Sequence, residues 1–312
     1  PPFIGAYAWV QLLGRQGVVT KMFKLIGIDI GSIYGFKGIL LAFTVKLFPY
    51  VYLYVSGALK KLDVSLLEAA EGLGCSGVKK VFTIVMPLIL PTVAAAALVV
   101  FTNAFADFGT PMLIGEGYRT MPSLVYNEYV GEVGGSGYLA AALCVIMVSI
   151  AVLVFVGQKY IVNRKSYTMS SLKPMEAKKV KGLKNIAAHL FVYLFVAIAF
   201  LPQFTVIATS FRNSNGLLFT KGFGFGNYKM AFSRAGNAIM NTYKYSLIAL
   251  VIILFFGMII SYVTVRRKSP VTDVLDSMAM FPFIIPGAVI GISLLSAFNK
   301  KPLMLSGTAA II

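Results

Sequence analysis

Runs of about 20 mostly apolar residues, separated by polar and mostly basic loops, dominate this sequence and leave it little choice of fold. At 1.5 Å of rise per residue, such a run crosses a hydrocarbon core of roughly 30 Å. Inside lipid each backbone N–H and C=O must be paired within the protein, which a helix does segment by segment. Apolar residues make up 58% of the 312-residue chain and charged residues 12%, too little polar surface for a soluble globule of this size. The expectation is an all-α polytopic membrane protein. Spans are expected at about 1–13, 37–57, 88–109, 138–160, 187–209, 242–264, 276–298 and 303–312, the first and last incomplete. The chain starts Pro1-Pro2 without Met and stops in an apolar run at Ile312, so both ends are expected to be cut.

The net charge of +17 raises the question of a nucleic-acid partner. The basic residues lie between the apolar runs rather than along one soluble face, so the lipid bilayer is the expected partner and nucleic acid is not. With residues 58–87 on the cytoplasmic side, alternation also places 159–186 and 265–274 inside. These inner loops carry 15 of the 28 Lys and Arg residues, against 10 spread over longer outer loops. That density follows the positive-inside rule and sets the orientation. Cys75 and Cys144 are the only two cysteines, too few for a disulfide framework or a metal cluster.

Residues 161–186 are polar, basic and Pro-containing, and read as a cytoplasmic linker joining two membrane units. The expected organisation is 1–160 as the later part of a first transmembrane domain and 187–312 as the earlier part of a second. Ile4-Gly5 and Ile290-Gly291, each in a span with a Pro-rich start, align as a weak internal repeat across the linker.

Between the second and third spans lies a segment of different character. Ser65-Leu66-Leu67-Glu68 has the S-x-x-E spacing of a capping box, which predicts Ser65 as N-cap and Glu68 reaching back to its amide. Leu66, Leu67, Ala69, Ala70 and Leu73 give an apolar surface in which the small alanines allow close approach by another protein. Gly74 fits the left-handed position just past the helix end. Residues 78–85 resume a helical pattern, and Pro87 and Pro91 mark the start of the next span.

Glu68-Ala69-Ala70, then Gly74 after three intervening residues, Ile84 after nine more and then Pro87 resemble the signature loop of binding-protein-dependent ABC importer permeases, with Met86 in the usual Leu position. The alternative for this loop is an interfacial helix resting on lipid. The resemblance implies a type I (MetI-like) permease fold, here as two tandem repeats, both incomplete. It implies that the loop is a coupling helix gripped by cytoplasmic ABC ATPase subunits, that an extracytoplasmic solute-binding protein delivers the cargo, and that the chain sits in a bacterial inner membrane. No G-x-x-x-x-G-K-[ST] pattern occurs in the sequence, so ATP is expected on the partner subunit, with no cofactor on this chain and no catalytic residues.

Phe105-Ala106-Asp107-Phe108-Gly109-Thr110-Pro111, the basic linker, Asn227-Tyr228 and the run from Asn241 to Ser246 resemble the fused ferric-iron permeases of this class. Ferric iron is therefore the expected cargo. Relatives of the same layout import thiamine, polyamines or anions such as 2-aminoethylphosphonate, and a secondary transporter or channel is the alternative outside the class.

The candidate pathway residues are Lys46, Asn103 and Asp107. Asn103 and Asp107, four residues apart, share a helix face, and Asp107 reads either as a pathway oxygen donor or as a solvated span-end residue. Lys46 is too deep to snorkel easily and is expected to face protein or water, either paired with a carboxylate or carbonyl between spans or, in the pathway, placed to suit an anion better than iron. It is expected not to pair with Asp107, which the span limits set nearer the outer face. His189 reads as interfacial, and Tyr50, Tyr52 and Tyr54 as interfacial anchors. Glu116, Glu128 and Glu132 read as a solvated outer loop, with contact to a binding protein as the alternative. No metal site is expected.

Overall fold

The computed structural model describes residues 2–131, 135–164, 182–215, 218–267, 269–299 and 304–305. Glu132, most of the basic linker and most of the run 303–312 lie outside the described residues. By packing, the chain divides into two compact units, Pro1–Leu201 with Pro286–Ala288, and Pro202–Ile285 with Val289–Ile312. Five helices among the described residues are long and apolar enough to cross a membrane. The protein is a multi-pass, predominantly helical membrane protein.

The first unit opens with α1 (Pro2–Leu13) and α2 (Val18–Leu25), then the long α3 (Phe36–Lys60). At 25 residues, α3 is about 37 Å long, enough to cross the bilayer alone. The loop helices α4 (Val64–Gly72) and α5 (Gly77–Lys80) follow. A π-helical turn over Val81–Val85 runs from α5 directly into α6 (Met86–Ala106). That turn ends two residues before Pro87, whose missing N–H already interrupts the i→i−4 ladder, so a wider turn forfeits little there. The unit continues with α7 (Gly109–Ile114), α8 (Met121–Val130), α9 (Gly137–Arg164) and the start of α10 (Leu183–Ser210).

α6 packs between α3 and α9, while α7 packs against α1 and α3. Trp9, Ala6 and Leu12 of α1, Ile33, Ala42 and Val45, and Ile114 of α7 form the buried cluster at one end. Ala58, Leu62 and Ile89 form a second cluster at the other end of the α3–α6 pair. The start of α3 is tied to the end of α7, with Gly35 N–H donating to the Ile114 carbonyl at 2.7 Å. Gly38 makes this approach possible, because a Cβ there would lie 2.8 Å from Ile114 Cγ2 and still closer to the Ile33 carbonyl oxygen.

The second unit contains the end of α10, an antiparallel hairpin of β1 (Arg212–Asn215) and β2 (Leu218–Phe223), α11 (Gly226–Arg266), α12 (Pro270–Ile284) and α13 (Gly287–Phe298). Arg212 pairs with Phe223 and Asn215 with Leu218. The Asn227 side-chain amide donates to the carbonyls of Ser210 and Arg212, and Tyr228 Oη lies 2.7 Å from Ser210 Oγ. Asn227-Tyr228 therefore fastens the base of the hairpin to the start of α11.

Several expected limits move. The span at 242–264 is the second half of a 41-residue helix that begins at Gly226. The span at 276–298 is two helices, interrupted at Ile285-Pro286, where the proline lacks a donor and disfavours helical geometry in the residue before it. The span at 88–109 ends at Ala106, and α7 continues separately. The hairpin was not anticipated from the sequence.

Candidate functional site

Two places concentrate the polar chemistry of the first unit. One is the loop of α4 and α5 between two spans. The other is the break between α6 and α7.

In the loop, the cap differs from the expected one. Asp63 is the N-cap of α4, and its Oδ1 accepts from both the Ser65 amide at 2.9 Å and the Ser65 hydroxyl at 2.8 Å. A carboxylate only accepts, and it stands one turn ahead of Glu68, so it engages the Ser65 donors and starts the helix earlier. The other end matches the expectation. Gly74 has φ of +79°, and the Cys75 amide donates to the Ala70 carbonyl and the Gly74 amide to the Glu71 carbonyl. These two bonds form a Schellman cap, which needs the left-handed residue that glycine supplies without penalty.

Glu68 and Ala69 are exposed on α4, while Ala70 is buried, so only one of the two alanines offers its surface. Leu66, Leu73 and Val78 stand exposed beside them, at 48%, 88% and 72%. This is an apolar patch around an acidic residue on a loop that carries both acidic and basic side chains. Glu71 and Lys80 form an ion pair across the Gly74 turn and so join α4 to α5. Neither was singled out in the sequence, although a carboxylate and an ammonium flanking a glycine turn carry that signal. Ile84 is half-buried in the π-helical turn, and Pro87 lies in the first turn of α6.

At the helix break, Asp107 is buried and receives three hydrogen bonds. Its Oδ1 accepts from the Thr110 amide at 2.9 Å, and its Oδ2 accepts from Thr110 Oγ1 at 3.0 Å and from Lys46 Nζ at 2.6 Å. Asp107 therefore closes α6, caps the first turn of α7 and holds the ammonium of α3. The D-x-x-T spacing of Asp107 and Thr110 is a cap signature legible in the sequence.

The pairing with Lys46 corrects the expectation that the two lie at different depths. Lys46 is ten residues beyond Phe36, about 15 Å along α3 from its N-terminal end. Because α6 stops at Ala106, the six-residue α7 must climb roughly 9 Å before Ile114 meets Gly35 at the N-terminal end of α3. Asp107 is correspondingly deep, and the long lysine side chain spans the remaining difference. The pair is asymmetric, the Asp107 side chain being 1% exposed and that of Lys46 41%. Asn103 does not join it. Its amide donates to the Val99 carbonyl one turn back at 2.8 Å, beside Thr102, whose hydroxyl back-bonds in the same way.

Elsewhere, Arg15 pairs with Glu116 at 2.5 Å and sits over the Tyr34 ring. Glu128 accepts from the Ser136 amide, and His189 Nδ1 lies 2.8 Å from the Asn185 carbonyl oxygen at the start of α10. Among the described residues, no three His, Cys, Asp or Glu side chains gather into a metal-binding group.

Residues 3–167 match the family of the binding-protein-dependent transport system inner membrane component. The chain is 28% identical to the ferric transport system permease protein of Actinobacillus pleuropneumoniae, over all of this chain and 46% of that protein. It is 28% identical to a putative ferric transport system permease protein of Haemophilus influenzae, over all of this chain and 50% of that one. It is also 31% identical to the molybdenum transport system permease protein of Escherichia coli, over 49% of this chain and 67% of that one. The chain thus spans about half the length of the two ferric-transport relatives.

Proposed function

The chain belongs to the family of binding-protein-dependent transport system inner membrane components, and from that premise we propose that it carries ferric iron across the membrane in an ATP-driven importer. It is a multi-pass permease of the type I (MetI-like) fold. In the proposed mechanism a solute-binding protein delivers the cargo outside, cytoplasmic ATPase subunits bind and hydrolyse ATP, and the permease alternates its access between the two sides. No cofactor is assigned to this chain.

The observation that carries the proposal is the exposed Glu68-Ala69 helix, closed by the left-handed Gly74 and lying between two spans. Its apolar and acidic surface is suited to a groove on another protein. The Glu71–Lys80 pair and the unbroken run from α5 through the π-helical turn into α6 give a push on α4 a stiff route to the membrane. Ile84 and Pro87 lie on that route. The match of Ile4-Gly5 on α1 with Ile290-Gly291 on α13 supports reading 1–160 and 187–312 as parts of two repeated domains joined by the 161–186 linker.

For the pathway, Lys46, Asn103 and Asp107 remain the proposed residues. Asp107 offsets the Lys46 charge, which lessens the objection that a lone ammonium would raise against a cationic cargo. A second reading is an anionic cargo such as 2-aminoethylphosphonate, favoured by the part-exposed ammonium of Lys46.

The test is uptake into vesicles that contain the intact permease and ATPase subunits, with the binding protein outside. Iron accumulation that requires ATP is expected. Accumulation of phosphonate in place of iron would favour the second reading. Uptake without the ATPase would replace the importer with a secondary transporter or channel.

A further inference from the structure

Beyond the transport path, α2 has a surface that the importer reading leaves without a role. Taken at 100° per residue, Val18, Met22 and Leu25 occupy one contiguous side of the helix, followed by the exposed Ile26 at its C-cap, while Lys21 and Lys24 occupy another side. Between these two sides, Val19 packs on the buried cluster of α1, α3 and α7, and Thr20 is buried. The helix therefore has three sectors. One faces the protein, one is basic and exposed, and one is apolar and exposed, with Val18 at 61%, Met22 at 62% and Leu25 at 86%.

The position of α2 along the chain sets its depth. It begins five residues after α1 ends, through a tight turn in which Gly14 N–H donates to the Val10 carbonyl and Gly17 N–H to the Gly14 carbonyl. Such a turn cannot carry the helix far from the end of α1. Exposed apolar side chains continue from Phe3, Ile4 and Tyr7 on α1, through the α2 face and Ile28 and Ile30, to Phe36 and Leu40 on α3. These exposed apolar side chains flank α2 on both sides along the chain, and α3 is long and apolar enough to cross a membrane. The Arg15–Glu116 pair, with Arg15 over Tyr34, supplies a polar level at the same end.

We infer that α2 is an in-plane anchor that lies in the outer leaflet, with Val18, Met22, Leu25 and Ile26 among the upper acyl chains and Lys21 and Lys24 at the lipid phosphates. A short amphipathic helix with lysines flanking its apolar face is suited to that boundary, where burial and attraction to anionic headgroups add. It would fix the outer end of α1 against rotation while α3 and α6 move. The choice of leaflet rests on the proposed cytoplasmic side of the α4–α5 loop, but the anchoring does not.

The test uses the intact permease with Cys75→Ser and Cys144→Ala, carrying one nitroxide label at a time through Val18→Cys, Lys21→Cys, Met22→Cys, Lys24→Cys or Leu25→Cys. The protein is reconstituted in vesicles of phosphatidylethanolamine and phosphatidylglycerol. Collision with oxygen should exceed collision with a water-soluble nickel chelate severalfold at positions 18, 22 and 25, and the order should invert at 21 and 24. Chelate access at all five positions would overturn the anchor. Protection of 18, 22 and 25 only when the binding protein is added would overturn it in favour of a protein contact. In the Lys21→Glu, Lys24→Glu background the label at 22 should become shallower in phosphatidylglycerol vesicles, and an unchanged depth would remove the lysines from the proposal. None of these readouts depends on cargo or ATPase, so the importer reading stands or falls separately.

Discussion

Lys46 Nζ lies 2.6 Å from Asp107 Oδ2 and ties α3 to the break between α6 and α7. The carboxylate is buried and also caps α7 through Thr110, whereas the ammonium keeps one side open. One acidic residue thus ends a helix, starts another and balances a charge within the membrane.

Cutting that pair should destabilise the fold. Lys46→Met leaves the Asp107 carboxylate buried with only Thr110 as donor, a loss of about 1–3 kcal/mol. Partial exposure of Lys46 keeps the cost below that of a wholly buried pair. Thermal unfolding of Lys46→Met, Asp107→Asn and the double variant should show strong coupling. Simple additivity would mean that the pair contributes nothing.

Gly74 should be replaceable only by residues that tolerate its backbone. Nothing lies within 4 Å of a Cβ built there, so the cost comes from φ of +79° alone, about 1–2 kcal/mol for an ordinary side chain. Gly74→Asn should retain more ATP-driven uptake than Gly74→Val. Equal uptake by the two would show that the turn does not need its left-handed residue.

Glu68→Lys should lower ATPase docking and uptake severalfold while the protein still inserts and unfolds normally, since Glu68 is exposed. Co-purification of the ATPase with the variant checks docking directly. Wild-type docking and uptake would remove Glu68 from the coupling surface.

The Glu71–Lys80 pair is partly exposed, so it should add less than about 1 kcal/mol of stability. Its expected effect is on geometry. Glu71→Lys should reduce uptake with little change in unfolding temperature, and Glu71→Lys with Lys80→Glu should recover much of it. No recovery in the charge-swapped variant would argue against a brace between α4 and α5.

The two candidate sites differed in how legible they were. The α4 loop could be read because its features are local. A glycine four residues after Ala70 and prolines at 87 and 91 act on the backbone within a turn or two. Even there, the choice between Asp63 and Ser65 as cap went to the residue with the stronger acceptor. At the helix break the cap spacing of Asp107 and Thr110 was visible, but the partner of Lys46 was not.

From the sequence alone came the helical, membrane-crossing class, the approximate place of most spans and the turn at Gly74. Each of these is decided by neighbours along the chain, through span length, apolar content and backbone preference. Only the tertiary structure decided that Lys46 meets Asp107 across 61 residues, that Ala70 turns inward while Ala69 does not, and that α2 leaves one apolar sector uncovered. The depth of a side chain depends on where the opposing helix ends, and α6 ends at Ala106 so that α7 can pack against α1 and α3. That packing is a property of several segments at once, and no local pattern encodes it.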